Sequence, residues 1–317
     1  TNQLANGILQ KDFDELLLSE EKPFFNRALR GRYPPASSIK PAIAMYGIEE
    51  GLIDWNFSIF DEGFFTLPED GRIYRDWKEG GHGDTNLFKA ITQSSNTYFF
   101  DLAYRSDINQ LNKHLSSLGF GGKACIDCFE EDKVFVPEPS WKMNKHNFGW
   151  FKGDTVNMGV GQGYLVSTPI QLAKYAYIMA NKGKFSDLSL KKDLVKSEKS
   201  IEFNKFSNDD WFKLHESMVN VIEGNTGTAR RLRERKNYIV AAKTGTAELV
   251  SGDNREQYSE TRLDDSLRDH ALIIAFGPMP NPRYAVSVVV ENGESGGSVA
   301  GPVAISVLNS LIQEWDI

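Results

Sequence analysis

The sequence has few cysteines, no basic stripe and no apolar run long enough to cross a membrane. Its 317 residues include two cysteines, and 43 acidic residues outnumber 36 lysines and arginines, which gives a formal net charge of −7. An acidic chain without a basic patch argues against a nucleic-acid partner. The longest apolar runs, ALIIAFG and YAVSVVV, are too short to span a bilayer and have the length of buried strands.

The two cysteines form a single CxxC pair, Cys125 and Cys128. Such a pair occurs in redox sites, in half of a metal site, or without any chemistry of its own. No second pair is present to complete a four-thiolate zinc site, and no thioredoxin-like strand–helix pattern surrounds this one. We therefore expect the pair to take no part in the chemistry of the protein.

Helical patterns occupy the middle of the chain. One helix is predicted to begin at residue 37 and to stop near Gly51, and another covers 86–104 with an interruption near two serines. Residues 52–85 and 250–268 are predicted to be loops. Further helices are predicted at 107–119, 168–182 and 209–223.

Strand patterns replace the helical ones toward the C-terminus, and a helix closes the chain. A helical middle followed by an antiparallel sheet with a packing helix predicts an α+β fold in two subdomains. The all-helical subdomain covers roughly 42–225, and the sheet subdomain, flanked by helices, covers roughly 1–41 and 226–317. The three β-rich segments are 237–249, 270–279 and 283–292.

The segment GRYPPASSIKPAIAMYG places two serines, Ser37 and Ser38, just before Lys40. On a helix, the residue three positions before Lys40 shares its face, and that residue is Ser37. A serine hydroxyl becomes a nucleophile when a base takes its proton, and a lysine can be that base if burial lowers its pKa. The SxxK pattern alone is weak evidence, because a capping serine followed by a solvated lysine has the same sequence.

Two further motifs accompany the SxxK pattern. QSSNTYFF supplies Ser94 and Asn96 as an SxN triplet, and AAKTGTAE supplies KTGT at residues 243–246. SxxK, SxN and KTG in this order form the signature set of penicillin-binding proteins and class A β-lactamases. KTG also falls on a predicted strand, as that signature requires. The three motifs together favour an acylating serine enzyme over a capped helix.

Residues of the first two motifs are expected to carry the chemistry. Ser37 Oγ attacks a carbonyl carbon, and Lys40 accepts its proton. Ser94 relays a proton to the leaving amine, and Lys243 biases that hydroxyl electrostatically. Asn96 orients Lys40 and binds the substrate amide.

The KTGT segment is expected to bind the substrate. Gly245 lets an extended peptide approach the strand edge and add to it as a further strand. Thr244 and Thr246 can hydrogen-bond a substrate carboxylate. The backbone N–H groups of Ser37 and Thr246 would form an oxyanion hole.

Beyond these motifs, the sequence resembles the transpeptidase domain of penicillin-binding proteins, and within them the elongation-type class B enzymes. The resemblance extends from about Asn6 to the C-terminal helix. The similar segments include FNRALRGRYPPASSIKP, GDTVNMGVGQGYLVSTPIQLA, RDHALIIAFGP and ENGESGGSVAGPVA.

This resemblance implies the fold shared by penicillin-binding proteins and serine β-lactamases. It implies a D,D-transpeptidase that cross-links peptidoglycan stem peptides, releases terminal D-alanine and is acylated by β-lactam antibiotics. It also implies a role in cell elongation and rod shape, a position on the periplasmic face of the inner membrane, and a membrane glycosyltransferase of the elongation machinery as a partner. The family's membrane anchor, pedestal domain and first strands are absent from this sequence, so the sheet is expected to be incomplete.

The sequence departs from the family pattern at several positions. The group usually has Gly where Ala36 stands and commonly Thr where Ser38 stands, and neither change removes a proposed catalytic group. Many elongation-type members have Asp where Asn96 stands, although Asn is the commoner choice across the superfamily. The cysteine pair is unusual for the family, and in an oxidising periplasm it could form a disulfide.

Asp61, Asp76 and His82 in the 52–85 segment are candidate metal ligands. Two carboxylates and an imidazole can bind zinc if the loop folds back on itself. Some elongation-type members resemble this arrangement and complete a zinc site with a Cys at the middle position of the SxN triplet. Here that residue is Ser95, a poorer ligand, so hydrogen bonds and ion pairs could hold the loop instead. No cofactor is expected to be required, and zinc is the candidate ion.

Two other functions share the acylating serine. A serine β-lactamase must also hydrolyse its acyl-enzyme, yet the ExxLN segment of class A enzymes is not found, and class D enzymes have a hydrophobic residue where Asn96 stands. A β-lactam-sensing binding domain would keep the motifs without turnover, and the elongation-type segments argue against it. A D,D-transpeptidase is therefore the favoured function.

Overall fold

α-Helices are the main regular structure of the chain as far as residue 223. The computed structural model describes residues 6–192, 194, 197–249 and 267–315. Within these ranges, no helix combines the length and the apolarity needed to cross a bilayer. The helices of this part are α1 (Gln10–Leu18), α2 (Arg27–Arg30), α3 (Lys40–Glu49), α4 (Leu87–Gln93), α5 (Asn96–Arg105), α6 (Ile108–Ser117), α7 (Pro139–His146), α8 (Lys152–Gly159), α9 (Pro169–Ala180) and α10 (Asn208–Glu223).

Side-chain caps explain where several helices begin. The Asp107 carboxylate accepts hydrogen bonds from two backbone N–H groups in the first turn of α6. Thr168 and Ser207 start α9 and α10 with capping boxes, and Pro169 fills the first position of α9. The predictions of these three helices are confirmed to within two residues at each end. The eight-residue helices α7 and α8 were not predicted, because about two turns are too few for a 3.6-residue period to stand out.

The segment 52–85 contains four short strands, so its prediction as a loop is wrong in part. They are β1 (Ser58–Asp61), β2 (Phe64–Thr66), β3 (Ile73–Arg75) and β4 (Gly83–Asn86). β1 pairs with β4 and β2 with β3, both antiparallel, so that one hairpin is nested inside the other. Strands of three or four residues are too short for alternating polarity to be recognised in the sequence.

The CxxC pair closes a disulfide bond between Cys125 and Cys128. This short loop is fastened to a later segment of the chain, because Cys125 bridges to Leu188 and the Asp127 carboxylate accepts from the backbone N–H groups of residues 190 and 191. Two-residue strands β5 (Lys184–Phe185) and β6 (Lys199–Ser200) pair on either side of that segment. The sequence left the state of the cysteines open, and the disulfide gives them a structural role.

A three-stranded antiparallel sheet forms in the C-terminal part, as predicted. Its strands are β7 (Ala241–Ala247), β8 (His270–Gly277) and β9 (Tyr284–Val290). β8 lies between the other two strands and is buried from its second residue onward. β7 is therefore an edge strand of the described sheet. The predicted loop at 250–268 lies, apart from its last two residues, outside the described residues.

Each face of the sheet packs against helices. Leu272 and Ile274 of β8 join the larger apolar core, which also takes in α3 to α6, α9 and α10. Ala271 and Ile273 point to the opposite face, where they meet Leu308 of the closing helix α11 (Gly301–Trp315). Fully burying one such leucine or isoleucine contributes roughly 1.5–3 kcal/mol. The α+β class is confirmed, whereas the division into subdomains at roughly 42–225 stays a prediction.

Candidate active site

The SxxK segment forms a tight turn that leads directly into α3. Residues Ala36–Ile39 make one turn of 3-10 helix, and α3 begins at Lys40. Ser37 is half-buried in this turn. Ser38 is fully buried, and its hydroxyl donates to the Pro35 carbonyl at 2.5 Å. The two adjacent serines therefore have different environments, and the hydroxyl of Ser38 is already engaged.

Ala36 holds the start of this turn in an unusual backbone conformation. Its φ of 49° lies in the left-handed region, which explains why glycine would suit the position. The Ala36 N–H donates to the Gly161 carbonyl at 2.8 Å. Gly161 itself has a φ of +72°, and a Cβ there would lie 2.2 Å from the Ala36 carbonyl oxygen. The first glycine of the GQG segment, residues 161–163, therefore leaves the space that the serine turn occupies.

The SxN triplet lies at the junction of two helices, where the sequence predicted an interruption. Ser94 follows α4 in the left-handed conformation, with a φ of 62°. Ser95 caps α5, and its hydroxyl oxygen accepts from the Tyr98 N–H at 3.2 Å. The Asp76 carboxylate accepts from the backbone N–H groups of Asn96 at 2.5 Å and Thr97 at 3.0 Å. A carboxylate at a helix N-terminus is favoured by the free N–H groups and the helix dipole.

Lys40 is fully buried and donates toward the SxN triplet. Its Nζ lies 2.8 Å from the Ser94 carbonyl oxygen, 3.3 Å from Ser94 Oγ and 2.6 Å from Asn96 Oδ1. Burial lowers the pKa of Lys40 to about 7, although the carboxylates of Asp76 and Asp61 act in the opposite direction. A lysine with this pKa exists in both protonation states near neutrality, as a general base requires.

Lys243 of β7 approaches Ser94 from the opposite side. Its Nζ donates to Ser94 Oγ at 2.8 Å and to the Thr244 carbonyl at 3.0 Å. Burial, followed by the charge of Lys40, lowers the pKa of Lys243 well below its usual value. Ser94 Oγ therefore lies between two lysine nitrogens that come from different elements. Among the described residues, no hydrogen bond joins Ser37 Oγ to Lys40 Nζ, and such contacts often form only when substrate binds.

The KTGT residues lie along the edge strand β7. Thr244 is buried, and its hydroxyl lies 2.7 Å from that of Thr228. Thr246 is exposed, and its carbonyl accepts from Gln162 Nε2 at 3.2 Å. A Cβ on Gly245 would lie 3.3 Å from the Ser38 backbone nitrogen, so the glycine lets the serine turn pack close to the strand.

The candidate metal ligands Asp61, Asp76 and His82 are brought together by the nested hairpins, with ligand atoms within 4.8 Å of one another. Their polar atoms already have partners within the protein. Ser95 Oγ donates to Asp61 Oδ2 at 2.7 Å, and His82 Nε2 lies 3.2 Å from Asp76 Oδ1. Burial works to raise the pKa of Asp76, but the His82 hydrogen bond and the Lys40 charge lower it to about 2.

This donor set does not fit a closed zinc site. Structural zinc takes four ligands, usually thiolates and imidazoles, and here the fourth position is a hydroxyl that donates its proton to Asp61. Asp76 Oδ2 accepts from the N-terminus of α5, and only Asp76 Oδ1 faces His82. Hydrogen bonds from Ser95 to Asp61 and from Asn96 and Thr97 to Asp76 connect the cluster to the SxN triplet and the start of α5.

Several contributors to the site were missed at the level of sequence. Thr228 and Gln162 contact the KTGT strand, and Trp77 donates its indole N–H to the Ser94 carbonyl at 3.1 Å. The sequence indicates Asp76 only as a candidate metal ligand, yet in the structure its carboxylate caps α5. The GQG segment was noted for its resemblance to the family, and Thr228 follows a predicted helix in NTGTA, but neither signal specifies a contact with β7.

The α+β fold, the serine turn and the two converging lysines occur together in a known family of domains. The chain is a member of the penicillin binding protein transpeptidase domain family, whose model matches residues 4–309. It is 37% identical over 321 residues to the peptidoglycan D,D-transpeptidase MrdA of Haemophilus influenzae, covering 99% of this chain and 49% of that protein.

Two solved structures show the same fold. PBP2 of Pseudomonas aeruginosa in complex with WCK 5153 is 36% identical, with a TM-score of 0.85 over 96% of this chain and 67% of that one. PBP2 of Helicobacter pylori in complex with MreC is 30% identical, with a TM-score of 0.87 over 98% of this chain and 55% of that one. The resemblance to elongation-type enzymes is confirmed. The chain spans about half the length of the curated relatives it matches.

Proposed function

We propose that this chain is a serine D,D-transpeptidase domain that cross-links peptidoglycan stem peptides and releases terminal D-alanine. The observation that carries the proposal is the convergence of Lys40 and Lys243 on Ser94 Oγ, beside the turn that presents Ser37. Membership of the transpeptidase family and the similarity to MrdA proteins support it.

In the proposed acylation step, each of these residues has a separate role. The neutral amine of Lys40 takes the proton of Ser37 Oγ as that oxygen bonds to the penultimate D-alanine carbonyl carbon. The backbone N–H groups of Ser37 and Thr246 stabilise the oxyanion. Ser94, held by Lys243, passes its proton to the departing D-alanine nitrogen as the peptide bond breaks, and it regains one from Lys40. An amine of a second stem peptide then attacks the ester and restores the serine.

Substrate binding is assigned to the edge of β7. An extended stem peptide can pair with this strand, and Gly245 keeps its path free of a side chain. The hydroxyls of Thr244 and Thr246 are the proposed donors to the substrate carboxylate, with Thr228 holding Thr244. Asn96, already bonded to Lys40, also binds the substrate amide.

The acyl-enzyme is expected to persist rather than to hydrolyse. Rapid hydrolysis needs a second base that is free to activate water, and class A β-lactamases use a carboxylate for this. The two carboxylates that act on Lys40 are both engaged, because Asp61 accepts from Ser95 and Asp76 accepts from the start of α5. This supports a transpeptidase over a β-lactamase.

The cellular setting is proposed from the relatives. Full-length MrdA-like proteins suggest an enzyme anchored in the inner membrane that works in the periplasm during cell elongation. The Helicobacter pylori PBP2 structure contains MreC, which supports partners within the elongation machinery, including a membrane glycosyltransferase. β-Lactam antibiotics are the expected inhibitors.

The test combines two assays on the same purified protein. With a penicillin, we expect one covalent adduct per chain that lasts for many minutes. With a pentapeptide donor and an acceptor amine, we expect released D-alanine and cross-linked product. Rapid penicillin turnover without an adduct would favour a β-lactamase, and an adduct without D-alanine release would favour a sensor.

We further propose that catalysis requires no metal. Asp61, Asp76 and His82 are the residues that would hold an ion, and the set lacks a thiolate, because Ser95 offers only a hydroxyl that donates to Asp61. Replacing Ser95 with Cys supplies a thiolate beside these three ligands, so purified S95C protein should contain about one zinc per chain. The wild type should contain far less than one, as measured by elemental analysis of untagged protein.

The matched control for that variant is Ser310→Cys, which adds a thiol to an exposed position of α11. It should leave zinc content at the wild-type level. Stoichiometric zinc in the wild type, or loss of its acylation after chelation, would contradict the proposal.

A further inference from the structure

Trp77 is an exposed aromatic residue that contacts the SxN triplet, and it belongs to none of the three motifs. It lies between β3 and β4, directly after Asp76, and its side chain is 60% exposed. Its indole N–H is shared between the carbonyl oxygens of Gln93 at 3.2 Å and Ser94 at 3.1 Å. The centroid of the His82 ring lies 5.5 Å from that of the Trp77 ring, in an edge-to-face arrangement.

The two carbonyls that Trp77 reaches lie at the C-terminal end of α4. Carbonyl groups in the last turn of a helix lack partners within the helix. Ser94 makes the left-handed turn there, with its own N–H bonded back to Ala90. A non-glycine residue in this conformation needs support from its surroundings, and Trp77 supplies a donor at this place.

The Ser94 carbonyl connects Trp77 to the proposed base. Its oxygen accepts from Lys40 Nζ at 2.8 Å as well as from Trp77 Nε1, and a carbonyl oxygen has two lone pairs for this purpose. The Ser94 hydroxyl, on the same residue, lies between the nitrogens of Lys40 and Lys243. A rotation of this one turn would move both the acceptor of Lys40 and the proposed proton relay.

We propose that Trp77 is a positioning residue for acylation. Its indole N–H holds the Ser94 turn in the orientation that places the Ser94 hydroxyl between the two lysines. This inference rests on the proposed function, because it assigns Trp77 a role in the same acylation step. Trp77 acts through Ser94 and need not touch the substrate.

The test is Trp77→Phe, which keeps an aromatic ring and removes the N–H group. We expect the rate constant for the covalent step with a penicillin to fall about tenfold, because a lost hydrogen bond misplaces the reacting groups. The constant for the preceding non-covalent binding should stay within about twofold, and the melting temperature should change little because the indole is exposed.

The matched control is Trp55→Phe. The Trp55 indole N–H donates to Asp210 at 2.8 Å, in the first turn of α10 and in none of the three motifs. This variant loses the same donor group and should acylate at the wild-type rate. An unchanged covalent step in Trp77→Phe, or an equal fall in both variants, would overturn the assignment.

A readout independent of activity separates this inference from the proposed function. Hydrogen exchange should speed up several-fold at residues 93–97 in Trp77→Phe, because the turn loses its donor, and should not change there in Trp55→Phe. If the wild type is not acylated at all, the proposed function fails while the exchange comparison still tests the role of Trp77. Unchanged exchange at this turn would rule that role out.

Discussion

Replacing Ser37 with alanine is expected to abolish covalent labelling by a fluorescent penicillin. Ser37 lies in the turn that leads to Lys40, and its hydroxyl has no hydrogen-bond acceptor among the described residues. Removing the nucleophile of an enzyme that forms a covalent intermediate lowers the rate by at least about 10³-fold. Gel fluorescence and mass measurement of the intact protein both report the adduct.

The adjacent serine provides the control. Ser38 is fully buried and donates to the Pro35 carbonyl, so Ser38→Ala should cost about 1 kcal/mol of stability through the lost hydrogen bond. Its labelling should stay close to that of the wild type. Retained labelling in Ser37→Ala, or loss of labelling in a folded Ser38→Ala protein, would overturn the assignment of the nucleophile.

The second large effect is expected at Lys40. Lys40→Met keeps a long side chain in the buried position but removes the amine, and general base catalysis typically contributes about 10²–10⁴-fold. We expect acylation by a penicillin to fall by about that factor. The variant buries no amine, which offsets the loss of the hydrogen bonds that Lys40 donates to Ser94 and Asn96, so circular dichroism should show a folded protein.

The pH dependence tests the same residue in the wild type. Because burial lowers the pKa of Lys40 to about 7, the base is protonated below that pH and neutral above it. The acylation rate should rise about tenfold per pH unit below 7 and level off above it. The pKa is lower in the folded than in the unfolded chain, so this group also makes stability rise with pH between about 7 and its ordinary value near 10.4.

Lys174→Met is the matched control for a buried lysine. Lys174 pairs with Asp187, which retains Lys199 as a second partner when Lys174 is lost. This variant should acylate with the wild-type pH profile. If Lys40→Met acylates at nearly the wild-type rate, and if that rate still rises with pH below 7, another group acts as the base.

Local sequence patterns were sufficient where neighbours along the chain determine the structure. Helical patterns predicted the helices that Asp107, Thr168 and Ser207 cap, and β-rich composition predicted β7 to β9. The order of SxxK, SxN and KTG, extended by resemblance, predicted the family that the comparison confirms. The sequence does not predict helices α7 and α8 or strands β1 to β4, because these elements are too short to show a period.

Local sequence patterns do not predict contacts between distant segments. Asp76 caps a helix that begins 20 residues later, Gln162 bonds to the carbonyl of Thr246, and Trp77 bonds to the carbonyl of Ser94. The two residues of each pair are far apart in the sequence, and their spacing corresponds to neither a helix nor a strand period. No local pattern therefore predicts these contacts. The nested hairpins place Asp76 at the start of α5, and the strands of these hairpins are themselves too short to predict.

The sequence by itself determined which chemical groups are present and in which order: a serine three residues before a lysine, an SxN triplet and a KTG strand. Only the tertiary structure decided what these groups become. It buries Lys40 and so lowers its pKa, places Lys243 against Ser94, and turns Ser95 toward Asp61. The physical reason is that protonation and hydrogen-bond partners depend on desolvation and on through-space distance, which are set when separate segments pack together.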